Sequence, residues 1–349
     1  MRQICRSAAL LFGVVLAGCQ TTSAPDQAGA NAGVPVANAP DRLGMIEAAW
    51  RRRLDRDDAP IASMTVARGG KVLDSFTDGN APERYAIASL SKAITGACIA
   101  DAINSGLMTS ETTLADVFGQ DMSGLPGASG TYGKITIAQL LTHTSGLWPD
   151  QTQGAMPAWR RETKPRHVTV STRALSRATQ QGTTGRFQYN NENYAILGAI
   201  IDAKAPGGYA DYCGRKVLGQ AYARKSARLS PVYGSFAAWG GWEMTTADYM
   251  AFFNSRFGPG SKIGADPKAW PHASVGDGAF YGMGVFFRPF QDGHNFWHVG
   301  RLCFNDGSGV ATYSVIWKGE WAVTTGRARC ARPRHMRRLD RDLSRAALR

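Results

Sequence analysis

Ser89-Leu90-Ser91-Lys92 decides the reading of this chain. The extended apolar run Tyr85-Ala86-Ile87-Ala88 precedes it, and a helical pattern from Ala93 to Asn104 follows. Side chains three apart lie on one helical face, so the amine of Lys92 can reach Ser89 Oγ. A helix N-terminus favours negative charge developing on that oxygen. A hydroxyl beside a base that can be desolvated becomes a nucleophile, and lysine suits the part because burial readily lowers its pKa. Ser-x-x-Lys alone also describes a capped, solvated helix start, so the weight rests on its company.

That company is ordered. Leu140-Leu-Thr-His-Thr-Ser-Gly-Leu147 comes next, then Phe187-Gln-Tyr-Asn-Asn-Glu-Asn-Tyr-Ala-Ile-Leu-Gly198, which holds Tyr189-x-Asn191 before an apolar helix. Phe296-Trp-His-Val-Gly300 is an alternating strand-like run that closes on His-x-Gly. The order Ser-x-x-Lys, Tyr-x-Asn, (Lys/His)-x-Gly resembles the serine β-lactamase and penicillin-binding protein superfamily. The closest likeness is to the branch of class C β-lactamases, D-alanyl-D-alanine carboxypeptidases, D-aminopeptidases and related esterases. The matches span about residues 41 to 330.

The resemblance implies roles. Ser89 is the expected nucleophile, attacking a carbonyl to give an acyl-enzyme. Lys92 is the first base, or the cation that lowers the pKa of Tyr189. Tyr189, a phenol starting near pKa 10, would shuttle the proton to the leaving group and later activate water. Asn191 offers a donor and an acceptor to the lysine amine and to a substrate carbonyl. The oxyanion would be held by the backbone N–H groups of Ser89 and Arg301, with Gly300 and the Arg301 side chain on the substrate. No metal ion or cofactor is implied.

One motif departs from the β-lactamases, which usually carry Lys-Thr-Gly where this chain has His298-Val299-Gly300. Lysine is a permanent cation suited to a substrate carboxylate, whereas histidine is only partly charged near neutral pH. Histidine also stands at this place in the esterases and D-amino-acid peptidases of the branch. The change weakens the case for β-lactam hydrolysis, and Arg301 or Arg288 is the candidate replacement charge. His143 reads as part of a structural turn, not as a metal ligand or triad member. The chain has no Gly-x-Ser-x-Gly elbow and no His-Glu-x-x-His. Trp148, Trp239, Trp242, Phe280, Tyr281 and Trp297 flank the motifs, mostly as core, with one or two expected to line an acyl pocket.

The ends carry other signals. Arg2 and Arg6 precede the apolar run Ala8 to Val15, which is too short to span a bilayer. Leu16-Ala17-Gly18-Cys19 resembles a bacterial lipoprotein signal, with residues 1–18 removed and lipid carried on Cys19; an ordinary secretory signal is the plainer alternative. Gln20 favours outer-membrane sorting, so the expected place is the cell envelope, lipid-anchored, facing the periplasm. Residues 19–40, rich in Ala, Pro, Gly, Asn, Ser and Thr without periodicity, read as a flexible tether.

Residues 41–349 are long enough for a large core and two lobes. Asp41 caps a helix whose Leu43, Ile46, Trp50 and Leu54 share a face. Ile61 to Ala67 and Lys71 to Phe76 flank Arg68-Gly69-Gly70 as a β-hairpin. Helical patterns fill the middle, clearest at Ile135 to Thr142 and Asn191 to Ala203, and Gly240-Gly241 precedes another. Strand patterns return at Gly282 to Arg288, Phe296 to His298, Gly309 to Trp317 and Trp321 to Thr325. The resemblance implies an α+β fold of the β-lactamase/transpeptidase kind: an antiparallel sheet flanked by terminal helices, with an inserted all-α lobe. The α/β lobe is expected at about 41–88 and 275–349, the helical lobe at about 89–274, and the active site in the cleft between them.

Six cysteines are present. With Cys5 removed and Cys19 lipidated, Cys98, Cys213, Cys303 and Cys330 allow three complete pairings in an oxidising compartment. Cys303 and Cys330 bracket two neighbouring strand patterns and are the preferred pair; four unpaired buried thiols are the alternative. The net charge of +13 is uneven, with nine arginines from Arg327 to Arg349 against Asp340 and Asp342. Met336, Leu339, Leu343 and Ala347 make that segment an amphipathic helix. Its basic face reads first as a solvated surface, and second as an attraction to anionic headgroups or envelope polymers. No nucleic-acid motif accompanies it. The expected partners are a small-molecule or peptide substrate and the membrane through lipid on Cys19. The rival reading is a non-catalytic envelope lipoprotein that binds peptidoglycan fragments or a partner, against which the intact Ser-Lys-Tyr-Asn set argues.

Overall fold

The computed structural model describes residues 41–59, 61–291 and 293–349. The signal, Cys19 and the tether read from the sequence lie outside the described residues. Helix α1 (Arg42–Arg56) starts where Asp41 caps it, its carboxylate accepting the Leu43 N–H at 3.1 Å. Strands β1 (Ala62–Arg68) and β2 (Lys71–Asp78) form the first hairpin, and β3 (Tyr85–Ala86) leads through a 3-10 turn at Ala88–Leu90 into α2 (Ser91–Asn104). Helices α3 (His167–Leu175) and α4 (Asn191–Lys204) follow, then β4 (Ala227–Leu229), β5 (Trp242–Met244) and α5 (Thr246–Phe257). The chain finishes with β6 (Ala273–Gly276), β7 (Ala279–Gly282), β8 (Val285–Phe290), β9 (Gly293–Cys303), β10 (Gly309–Trp317), β11 (Trp321–Arg327) and helix α6 (Pro333–Leu348).

Eight strands make one antiparallel sheet in the order β2-β1-β11-β10-β9-β8-β7-β6. The last strand lies beside the first hairpin, with Ala62 opposite Arg327 and Arg68 opposite Trp321. The residues between β2 and β6 are therefore an insertion into a sheet closed by the two ends of the domain. That insertion is mainly helical, and it also carries the small sheet β3-β5-β4, which the sequence pattern does not reveal.

The strand period of two sorts the core into two layers. Ala311, Tyr313, Val315 and Trp317 of β10 pack with Ile46, Trp50 and Leu54 of α1 and with Met336, Leu339 and Leu343 of α6. The four residues read as the apolar stripe of α6 are all buried, while Arg337, Arg338, Arg341 and Arg345 are exposed. Between the helices, buried Arg53 Nε donates to Asp342 at 2.8 Å. The opposite face of the sheet carries hydroxyls as well as apolar groups, and each finds a partner as burial requires. Thr65 pairs with Thr246 at 2.8 Å, Ser314 with Thr324 at 2.8 Å, and Thr312 donates to the Ile87 carbonyl at 2.8 Å.

Helices α2 and α4 are buried on nearly every side, which is why neither shows a clean apolar stripe. At Gly96 of α2, a Cβ would lie 2.1 Å from the Met283 carbonyl oxygen, so glycine lets the turn between β7 and β8 rest on this helix. Two disulfides close the fold. Cys303–Cys330, the pair preferred from sequence, joins β9 to the segment after β11, and Cys98–Cys213 ties α2 to the helix Gly208–Cys213. Four free thiols are thereby excluded.

Candidate active site

Ser89 sits in the 3-10 turn that leads into α2, one residue after Ala88, which is held at φ 49°. A left-handed alanine is strained and persists only where its surroundings over-determine it. Strand β9 supplies that constraint. A Cβ on Gly300 would fall 2.4 Å from the Ile87 carbonyl oxygen and 3.1 Å from the Ala88 Cβ, so only glycine lets β9 approach the turn this closely.

Lys92, fully buried in the first turn of α2, points its amine back at Ser89. Nζ lies 3.2 Å from Ser89 Oγ, 2.8 Å from Asn191 Oδ1 and 2.8 Å from the Trp239 carbonyl oxygen. Burial lowers its pKa to about 7, with the Asp150 carboxylate pulling the other way. The two nearest partners are pure acceptors. A neutral amine has two N–H donors and one lone pair, so Asn191 and Trp239 take both hydrogens and the lone pair is left facing the Ser89 hydroxyl.

Tyr189 stands over this pair, with Lys92 Nζ 5.0 Å from its ring centroid. The expectation that an ammonium pulls its pKa down is overturned. Burial pushes the phenol well up, hydrogen bonding with Ser89 offsets that only in part, and Asp150 adds to the rise. Tyr189 is therefore a protonated phenol at neutral pH. His143 holds it in place: its carbonyl accepts the Gln188 N–H at 2.8 Å, its Nδ1 accepts the Asn190 N–H at 3.3 Å, and the His143 and Tyr189 ring centroids are 4.5 Å apart. The structural-turn reading of His143 thus has a definite content, a clasp on both neighbours of Tyr189.

His298 is buried, and its Nδ1–H donates to the Val299 carbonyl at 2.9 Å. That tautomer leaves Nε2 as a bare acceptor without a protein partner. Burial first, and Lys92 second, hold its pKa at about 3, so it is neutral near pH 7 rather than partly charged as expected. The replacement cations are also constrained. Arg301 lines the Ser89 cavity, but its Nε donates to the Ala331 carbonyl at 2.5 Å. Arg288 stacks over Trp297, 5.9 Å from the ring centroid, and does not line the cavity.

The cavity holds about 340 Å³ and brings Ser89, Tyr189, Asn191, His298 and Arg301 together with Gln153, Met156, Trp239, Phe286 and Trp297. Of the six flanking aromatics, Trp239 and Trp297 reach it. Pairing of β8 with β9 stops at Phe286 opposite Trp297, while β9 runs on to Cys303. The stretch from His298 onward therefore faces the cavity without β8 beside it, which suits backbone hydrogen bonds to a ligand at Arg301. A larger cavity of about 510 Å³ lies under α6 on the other face of the sheet; its lining holds the Tyr313–Asp340 hydrogen bond and none of Ser89, Lys92 and Tyr189.

Residues 46–319 match the beta-lactamase family. The chain belongs to the beta-lactamase family. No curated protein matched in sequence. Among solved structures, a D-stereospecific amidohydrolase from Streptomyces sp. superposes with TM-score 0.67 at 15% identity, over 88% of this chain and 99% of that one. A penicillin binding protein from Bacillus halodurans gives 0.65 at 17%, over 84% and 98%. A class C beta lactamase from Rhodobacter sphaeroides gives 0.63 at 17%, over 88% and 100%. At these identities the likeness establishes the shared fold: a large antiparallel sheet with helices.

Three participants escaped the sequence reading. The Trp239 carbonyl is a backbone group and leaves no residue signature. Asp150 and Thr152 form a short Asp-x-Thr turn whose local signal is only a cap, with the Thr152 N–H and hydroxyl reaching Asp150 Oδ1 at 2.9 and 2.7 Å.

Proposed function

We propose that this family member is a serine hydrolase that cleaves ester or amide bonds through an acyl-enzyme on Ser89. The observation that carries the reading is the placement of Lys92 Nζ 3.2 Å from Ser89 Oγ, with two acceptors positioned to take its hydrogens in a site where burial brings the amine to about pKa 7. Neutral Lys92 takes the Ser89 proton as Oγ attacks the carbonyl carbon. The N–H groups of Ser89 and Arg301 receive the oxyanion; donors of this kind supply roughly 10²–10³ in rate. Tyr189, a protonated phenol, hands its proton to the leaving alkoxide or amine and recovers one from the Lys92 ammonium. In deacylation water replaces the leaving group and the transfers reverse.

The neutral His298 sets the substrate class. Its bare Nε2 accepts a hydrogen bond from a substrate N–H or O–H and offers no positive charge to a carboxylate. Neutral small esters and D-amino-acid amides, the latter in keeping with the amidohydrolase neighbour, rank ahead of β-lactams. Anchoring in the bacterial envelope through lipid on Cys19, with the outer membrane facing the periplasm as the place, remains part of the proposal on the strength of Leu16-Ala17-Gly18-Cys19.

The test is intact mass over time with a short-chain ester, a D-amino-acid amide and a penicillin, with Ser89→Ala as control. An adduct or turnover dependent on Ser89 supports the reading, and the substrate that reacts names the class. A folded Ser89→Ala variant with unchanged activity sinks it. Absence of any reaction, including with a fluorophosphonate, favours a non-catalytic binding protein.

A further inference from the structure

We propose that Asp150 is a positioning residue for the reactive pair: acting through Thr152, it fixes the Asn191 side-chain amide with its oxygen toward Lys92. The inference rests on the reading of Lys92 as the base for Ser89. Four side chains form one hydrogen-bonded line to the amine. The Thr152 hydroxyl donates to Asp150 Oδ1 at 2.7 Å, Asn191 Nδ2 donates to Thr152 Oγ1 at 2.9 Å, and Lys92 Nζ meets Asn191 Oδ1 at 2.8 Å. Asp150 Oδ2 also accepts the Asn191 backbone N–H at 3.2 Å. Thr152, Asn191 and Lys92 are all buried, and Asp150 at the far end is half-buried.

Donor counting gives the line a direction. A carboxylate only accepts, so Asp150 claims the single hydroxyl hydrogen of Thr152. Thr152 Oγ1 then has only lone pairs left, and Asn191 must present its NH₂ to it. Its carbonyl oxygen is thereby forced toward Lys92. Were the amide reversed, its NH₂ would face the amine and compete with Ser89 for the lone pair. Asp150 thus decides, three hydrogen bonds away, where the base points.

Asp150 also acts through its charge. The other groups around Lys92 carry little net charge. On the turn of residues 142–147 and on β9, His143 and His298 are kept neutral by burial and by Lys92 itself. Beside α4, on it and on β7, Tyr189, Tyr194 and Tyr281 are phenols pushed up by burial. Glu192 of α4 is paired with Arg177, and Arg301 of β9 is tied to the Ala331 carbonyl. The Trp239 carbonyl contributes only a dipole. Asp150 is therefore the anion that supports the Lys92 ammonium, and it holds the amine near neutrality instead of letting burial drive its pKa lower still.

The experiment, on the full chain, joins a titration to a rate. Lys92 is followed by NMR in protein carrying carbon-13 lysine, its signal assigned with Lys92→Arg, and Ser89 labelling by a fluorophosphonate is timed from about pH 5 to about pH 10. In Asp150→Asn, Lys92 titrates at lower pH than in the wild type and the acid limb of labelling moves with it. In Thr152→Val, the plateau labelling rate falls about tenfold or more, and Thr152→Ser restores it. A Lys92 titration unmoved by Asp150→Asn, or a wild-type plateau in folded Thr152→Val, overturns the proposal. If Thr152→Val does not fold, Thr152→Ala, which also removes the hydroxyl, takes its place. If wild-type Ser89 is never labelled, the catalytic reading fails, while the titration still judges the Asp150–Lys92 coupling.

Discussion

Ser89 and Lys92 are neighbours on one helical turn, and local geometry alone brings them within 3.2 Å. Local geometry does not make the lysine a base. Its pKa falls to about 7 because burial excludes water, and its lone pair faces Ser89 when Asn191 and Trp239 take its hydrogens. The pH dependence follows with a definite sign. On the proposed mechanism the active form is the neutral amine, so acylation by a saturating ester should fall roughly tenfold per pH unit below about 7 and level off above it. Stopped-flow acylation across that range measures the limb, and a rate flat with pH would remove Lys92 from the role. Tyr189 makes a second prediction. With its phenol kept protonated by burial, Tyr189→Phe removes a proton donor without removing the ring. It should slow both acylation and deacylation by about 10²–10⁴-fold, read in burst and steady-state phases of one ester assay. The motifs singled out Ser89, Lys92, Tyr189, Asn191 and His298 from sequence but not the Trp239 carbonyl, and the protonation states of Tyr189 and His298 depend on burial and differ from expectation.

At the scale of elements, legibility followed exposure. Helices α1 and α6 each lay one face on the sheet and leave the other in water, so their periodicity was plain in Ile46, Trp50 and Leu54 and in Met336, Leu339 and Leu343. Helices α2 and α4 are surrounded by core, and motif residues marked them where no stripe could. Strands of two or three residues, such as β3 and β5, are too short to show alternation, which hid the small sheet. Helix α5 offers a test of local stability. Thr245 Oγ1 accepts the Asp248 N–H at 2.9 Å as its N-cap, and Tyr249, Met250 and Phe253 behind it are buried. Thr245→Ala should destabilise the domain by about 1 kcal/mol with little change in Ser89 reactivity, measured by urea unfolding. A loss of reactivity at unchanged stability would show that the cap acts on the site instead.

The whole molecule is held by long-range closure. The first hairpin pairs with the last strand, and terminal helices cover that junction. Cys98–Cys213 spans 115 residues of the helical insertion. Replacing both cysteines by serine should therefore destabilise the fold by about 2–5 kcal/mol, seen as a lower midpoint in guanidinium, with the effect of reductant on the midpoint reduced accordingly. An unchanged midpoint would mean that the bond adds nothing to stability.

The order of the motifs, the helix ends, the terminal amphipathic faces and the alternation of the sheet are legible in the chain alone, because each is written in neighbours a few residues apart. The sequence left open both disulfides, with Cys303–Cys330 no more than the preferred pair, the charge states of Tyr189 and His298, and the roles of Asp150, Thr152 and the Trp239 carbonyl. Those depend on which groups meet across 39, 99 or 147 residues of chain and on how completely water is shut out where they meet. Distance in space and local dielectric are properties of the folded molecule, and only the tertiary structure decides them.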